Sequence, residues 1–159
     1  MVLGGEKSGK SAFVRQIAKG YANVLCLVTM SSANDSVYFQ HVCSRPIEWD
    51  VLEEPIALAT CLLSVANAYD LIILDDISVW LSNVVALKMN VYHEVDCMLN
   101  ALCGLKTKLI VSKELGLGML PNSALALEYV NLLSCVNQIL ASALSSVYFV
   151  VAGRAVKIK

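Results

Sequence analysis

The sequence predicts an α/β domain built on a mainly parallel sheet with helices on both faces, and three observations carry that expectation. Short β-rich apolar runs alternate with helix-patterned segments: VLCLVT at 24–29, LIILDD at 71–76, KLIVS at 108–112 and VYFVVA at 147–152. Strands separated by helices pair in parallel, and apolar runs without polar alternation are what strands buried on both faces look like. A glycine-rich loop, GGEKSGKS at 4–11, stands between a strand remnant and the helical SAFVRQIAKG. That is the strand–loop–helix setting in which backbone N–H groups and a helix amino terminus converge on an anion.

Taken in order, only Met1, Val2 and Leu3 precede the first glycine, so the first strand is unusually short and a true start upstream is left open. Helices are expected near 10–20, 55–68, 79–102 and 123–144. After the last run, Gly153 and Arg154 turn the chain into AVKIK, expected to return as an antiparallel edge. A chain of 159 residues without a linker, repeat or low-complexity segment reads as one domain, residues 1–159, large enough for its own core.

The 57% hydrophobic content and mean hydropathy of +0.65 raise the question of a membrane span. The longest uncharged stretch, Tyr129 to Gly153, has the length, but Asn131, Asn137, Gln138 and several serines interrupt it. A change of period near Ser145 divides it into a helix and a strand, so no span is expected. The amino terminus has no signal-peptide pattern. Six cysteines (26, 43, 61, 97, 103, 135) lack CxxC spacing and read as reduced core residues of a cytoplasmic protein. A net charge of −1 without a basic run argues against nucleic acid as a partner.

GGEKSGKS fits glycine, four residues, then glycine, lysine and serine or threonine. Gly4, Gly5, Glu6, Lys7, Ser8 and Gly9 would form the cradle, Lys10 would neutralise the β and γ phosphates, and Ser11 would bind Mg²⁺. LIILDD is the matching acidic strand end: Asp75 would serve the magnesium, with Asp76 a spare carboxylate beside it. These features predict a nucleoside triphosphate as cosubstrate and leave the acceptor unnamed.

The segments GGEKSGKS, HVCSRPIEWDVLEEP, LIILDDISVWLSN, VSKELGLGMLP and CVNQ with VYFVVAGRAVKIK occur in one order. With them the chain resembles, from Gly4 to Lys159, the bifunctional adenosylcobinamide kinase and adenosylcobinamide-phosphate guanylyltransferase family of cobalamin synthesis. The resemblance implies a RecA-like P-loop fold, a homo-oligomer (a trimer), and two reactions. ATP or GTP phosphorylates a hydroxyl of adenosylcobinamide, and GMP then passes from GTP to the new phosphate through a guanylylated histidine. The matching histidine is His41. A neutral imidazole is a good nucleophile at a phosphorus near cations, and once protonated a good leaving group.

Arg45, four residues on, would clamp the α phosphate if residues 37 to 44 are helical, and Pro46 would end such a helix. Glu53, Glu54, Asp75, Asp76 and Glu114 are candidates to orient or deprotonate the acceptor hydroxyl, with Glu54 and Asp75 the best family matches. For Glu53 and Glu54 a helix start capped by Pro55 stays open. Glu114 follows a strand, where open parallel sheets keep ligands, and Gly116 and Gly118 would allow close approach. His93 reads as a surface residue with no cysteine or histidine at ligand spacing, Trp49 and Trp80 as packing residues, and Met89 and Met98 as core.

Three departures stand out. The helix at 121–137 carries no arginine or lysine where the family has several, the stretch from Thr29 to His41 is short, and Lys113 replaces a common asparagine. They keep two alternatives open: a single-activity small-molecule kinase, and a degenerate nucleotide-binding protein without turnover. The 123–144 helix, apolar beyond the needs of one domain face, adds to the expectation of a homo-oligomer.

Overall fold

The computed structural model describes residues 1–30, 45–119 and 121–159. Seven strands form one sheet: β1 (Val2–Gly4), β2 (Val24–Val28), β3 (Asp50–Glu53), β4 (Leu71–Asp75), β5 (Lys108–Lys113), β6 (Tyr148–Val151) and β7 (Arg154–Lys157). Their spatial order is β3-β2-β4-β5-β1-β6-β7, parallel throughout except for the antiparallel β6–β7 pair. The helices among the described residues are α1 (Lys10–Ala18), α2 (Leu58–Val65), α3 (Ile77–Ala86), α4 (Val91–Cys103) and α5 (Ala124–Ala143). The mainly parallel sheet and its antiparallel edge are as the sequence predicts.

The strands' unbroken apolar runs divide their side chains between two cores by the period of two. Leu25, Leu27, Ile72, Leu74 and Ile110 join α2 to α5 on one face. Cys26, Leu71, Ile73, Leu109 and Val111 pack with Val14 and Ala18 of α1 on the other. Only β6 departs from the expected two-sided burial: Tyr148 and Phe149 are half-buried and Val151 exposed, because its neighbour β7 is the sheet edge.

Three elements differ from the sequence expectation. The helix expected at 79–102 is two helices. Lys88 adopts φ 56° after α3, and the Asn90 side chain accepts from His93 N at 3.2 Å to start α4 anew. The helix expected near 55–68 starts at Leu58, and ahead of it lies a strand that was not expected, β3, which pairs with β2 from Leu25↔Asp50 to Val28↔Glu53. An exposed four-residue edge strand with Asp and Glu lacks the apolar pattern that betrays a strand. The cysteines also differ: of those described, only Cys26 is buried, with its thiol pushed up to about 12 by burial, while Cys103 and Cys135 are exposed.

Helix α5 is, among the described residues, the one helix long and apolar enough to cross a bilayer by length and composition. Here it lies on the sheet, burying Val130, Leu133, Val136, Asn137 and Leu140. The helix ends at Ala143 and β6 starts at Tyr148, so the expected break near Ser145 is present.

Asn137 explains the asparagine of CVNQ. Its Oδ1 accepts from the buried Ser112 hydroxyl at 2.7 Å, and its Nδ2 donates to the Lys113 carbonyl at 3.0 Å. Asn137→Leu would strand both groups in a dry interior. Urea unfolding should show about 1–3 kcal/mol of lost stability.

Candidate active site

The register of the sheet sets the site. Gly4 pairs with Lys113 and Val28 with Asp75, so the carboxyl ends of β1, β2, β4 and β5 share one edge. Ligands of open parallel sheets bind along that edge. A groove of about 320 Å³ opens there, lined by Ser8, Lys10, Ser11, Asp75, Asp76 and Lys113 among others. A larger cavity of about 720 Å³ flanks α1 but holds neither Asp75 nor the loop glycines, so its volume says nothing about phosphate.

The phosphate loop takes its shape from Gly9. At φ 104° it occupies a region L side chains avoid, and a Cβ there would lie 2.9 Å from Gly153 Cα. Gly153 is the second central residue of the β6–β7 turn, where Ala152 (φ 49°) and Gly153 (φ 74°) both have positive φ, as a type I′ hairpin requires. Gly153 N donates to Ser8 O at 2.8 Å, so the hairpin buttresses the loop. No side chain caps α1, which leaves its first-turn N–H groups to an anion.

Lys10 Nζ donates to the Gly4 and Gly5 carbonyls, both at 2.8 Å. Burial lowers its pKa, while Asp76, Glu6 and Asp75 act to raise it and Lys113 to lower it further. The Ser8 hydroxyl is buried with no partner among the described residues. An orphaned donor, an ammonium and bare helix amides together suit a phosphate chain.

Asp75 ends β4, and its Oδ2 receives the Arg45 Nη2 at 2.7 Å in an ion pair whose guanidinium side chain is 8% exposed. Arg45 Nη1 is buried and has no partner among the described residues. Asp76 is the N-cap of α3: it accepts from Val79 N at 2.9 Å and from the Ser78 hydroxyl. Its backbone is held too, with Thr29 Oγ1 donating to Asp76 O at 2.7 Å. Asn83 Nδ2 donates to Thr29 O and Pro55 O, and Trp80 Nε1 to Ile56 O. Trp80 is thus core, as expected, and ties α3 to the loop after β3. Tyr129 donates to Ser78 O, its hydroxyl pushed up to about 12 by burial and by Asp76.

Other expected site residues take more local roles. Glu54 Oε1 accepts from Ile56 N at 3.0 Å and Ala57 N at 2.7 Å, ordering the turn ahead of α2, which starts at Leu58 without a side-chain cap. Glu114 Oε1 accepts from Gly116 N at 2.8 Å, shaping its own loop. Glu6 on the phosphate loop pairs with Lys113 at 2.9 Å. Trp49 packs against the α1-side core, Met98 is buried and Met89 packs partly against the core. His93 is exposed, but Cys97 Sγ lies 3.6 Å from its Nε2 at the i+4 position, a neighbour the sequence reading passed over. His41 lies outside the described residues.

Lys113 was noted in the sequence as a departure and not as a site residue. It lines the groove beside Lys10 and Asp75 because β5 lies between β1 and β4. A lysine directly after a buried apolar run was the available signal.

A phosphate loop and an acidic strand end, with one strand between them, define a RecA-like P-loop nucleotide-binding protein. A solved relative in fold agrees: the flagellar accessory protein FlaH of Methanocaldococcus jannaschii matches with a TM-score of 0.57 at 13% identity, over 99% of this chain and 76% of that one. Residues 1–158 match the family described as cobinamide kinase / cobinamide phosphate guanyltransferase, and the chain belongs to that family. The bifunctional adenosylcobalamin biosynthesis protein CobP of Pseudomonas aeruginosa is 31% identical, over 100% of this chain and 96% of its own. The proteins named CobU from Escherichia coli and Salmonella typhimurium are 26% and 27% identical, each over 100% of this chain and 98% of its own.

The Gly9 contact can be tested directly. Gly9→Ala combines a disfavoured φ with a clash against the hairpin backbone, a strain of about 1–3 kcal/mol. Calorimetric titration with a nucleoside triphosphate should show binding weakened by about tenfold or more.

Proposed function

We propose that this chain is a transferase that phosphorylates adenosylcobinamide with ATP or GTP, and then transfers GMP from GTP to the adenosylcobinamide phosphate through a guanylylated His41. The observation that carries the proposal is the groove itself, in which Lys10, Ser11 and the Asp75 carboxylate meet at the start of α1. Family membership supplies the substrates, and both steps are assigned to one domain spanning residues 1–159.

Mg²⁺ fits this groove. A hydroxyl and a carboxylate are oxygen donors of the kind magnesium uses beside a phosphate chain, with water completing its shell. Ser11 and Asp75 would hold it, and it would neutralise charge on the phosphates. The loop amides and Lys10 bind and orient the triphosphate. Asp75 is assigned to orient the acceptor hydroxyl, since Asp76 is committed to α3. Arg45, whose Nη1 has no partner among the described residues, holds Asp75 in place and stands four positions after His41 in the sequence.

In the guanylyl step His41 attacks the α phosphorus of GTP, the bond to pyrophosphate breaks, and the cobinamide phosphate oxygen then displaces His41 from GMP. GTP labelled at the α phosphate should leave an acid-labile, alkali-stable label on the denatured protein, absent in His41→Ala. The same variant should keep cobinamide phosphorylation. Unlabelled protein that still binds GTP would leave the kinase half alone.

A cytoplasmic, homo-oligomeric enzyme is part of the same proposal. Helix α5 carries no lysine or arginine and exposes Leu125, and further apolar side chains, Leu117 and Met119, lie exposed on the loop before it. A trimer should sediment at about three times the 17.2 kDa chain mass. A particle of monomer mass would remove the oligomer from the proposal.

A further inference from the structure

Lys113 stands at the junction of two clefts. It lines the phosphate groove with Lys10 and Ser11, and also the adjoining cleft that holds Met30, Arg45 and Val79. Among the described residues, Asp75 and Asp76 are the only others common to both linings. A group in that place lies between the nucleotide's phosphates and whatever enters from the Arg45 side.

The backbone of Lys113 is fixed while its side chain is not confined. Its carbonyl accepts from the buried Asn137, and Glu114 N donates to Gly4 O at 3.1 Å, pinning the end of β5 to the first residue of the phosphate loop. The side chain is 29% exposed and reaches Glu6 Oε2, itself on the loop and 62% exposed. An exposed ion pair of this kind contributes little to stability, so the ammonium exchanges partners at small cost. Burial lowers the Lys113 pKa, but the Glu6 hydrogen bond with the charges of Asp76, Glu6 and Asp75 outweighs it and leaves the pKa raised. The group is a cation at neutral pH. Lys10, by contrast, is half-buried and turned to the Gly4 and Gly5 carbonyls.

Phosphoryl transfer spreads negative charge over the equatorial oxygens of the moving group, and catalysis rests on cations placed where that charge develops. We propose that Lys113 is a catalytic residue of the kinase step, its ammonium leaving Glu6 to contact the γ-phosphoryl oxygens during transfer. The acceptor oxygen forms its bond to Pγ and the bond from Pγ to the β–γ bridging oxygen breaks. The hydroxyl proton leaves to solvent, and Lys113 keeps all its protons.

The proposal rests on the kinase reading of the groove, and the experiment separates the two. Steady-state phosphorylation of cobinamide is measured for wild type, Lys113→Met and Lys113→Arg. Binding of Mg-ADP, alone and with aluminium fluoride as a planar mimic of the moving phosphoryl group, is measured by calorimetry on the same proteins. Lys113→Met should lower kcat by about 10²–10³-fold. It should bind Mg-ADP as wild type does and lose the tightening that aluminium fluoride confers, with Lys113→Arg recovering part of both. A fall in kcat below about tenfold, or Mg-ADP affinity and thermal stability lost together with kcat, would overturn the assignment and leave Lys113 a structural partner of Glu6. Wild-type protein that makes no cobinamide phosphate but tightens on Mg-ADP with aluminium fluoride in a Lys113-dependent way would fail the kinase reading while sustaining the phosphate-contacting role.

Discussion

The site depends on the hydrogen-bonded register between β1 and β5. β1 has three residues, too few to hold a position alone, and its place is set by two parallel neighbours, β5 and β6. Tyr148 N donates to Met1 O at one end and Glu114 N to Gly4 O at the other. Since Gly4 is both the last residue of the strand and the first of the phosphate loop, this pairing decides where the loop begins. It also puts Lys113 opposite Gly4.

Around that register the carboxyl edge is a rigid frame carrying a few long side chains. Thr29, Asp76, Asn83 and Trp80 lock the ends of β2 and β4 to α3 and to the loop after β3. Asn137 does the same for the end of β5. Buried polar groups that are fully paired make such frames specific. Lys10, Arg45 and Lys113 extend from the frame, each paired with a backbone carbonyl or a carboxylate that a phosphate chain rivals in charge. A fixed scaffold, with Arg45 buried against Asp75 and Lys113 on an exposed pair that exchanges, suits a protein that has to take hold of a triphosphate and let its products go.

Much of the site was legible in the sequence because its chemistry is local. Gly4 to Ser11 are contiguous, and their loop, helix start and ammonium follow from spacing alone. Asp75 was legible as the end of an apolar run. Asp76 and Glu54 were ambiguous, because a carboxylate ahead of a helix reads the same whether it meets a ligand or bonds backbone N–H groups; in the fold Asp76 caps α3 and Glu54 bonds the turn ahead of α2. For Lys113 the sequence offered only a lysine after a buried apolar run; nothing near it says that β5 lies between β1 and β4. The strand β3 was hidden for a related reason, since an exposed edge strand needs no apolar alternation.

By itself, the sequence determined the alternation of buried strands and helices, the phosphate loop, the acidic strand end, the antiparallel return and the family, all of which depend on neighbours along the chain. Only the tertiary structure decided the strand order, the division of one apparent helix into α3 and α4, and the exposure of Cys103 and Cys135. The same holds for the pairing of Arg45 with Asp75 and the meeting of Lys113 with the phosphate loop. These depend on residues far apart in the chain, whose proximity is set by which strands pair and which faces bury, and no local pattern encodes that choice.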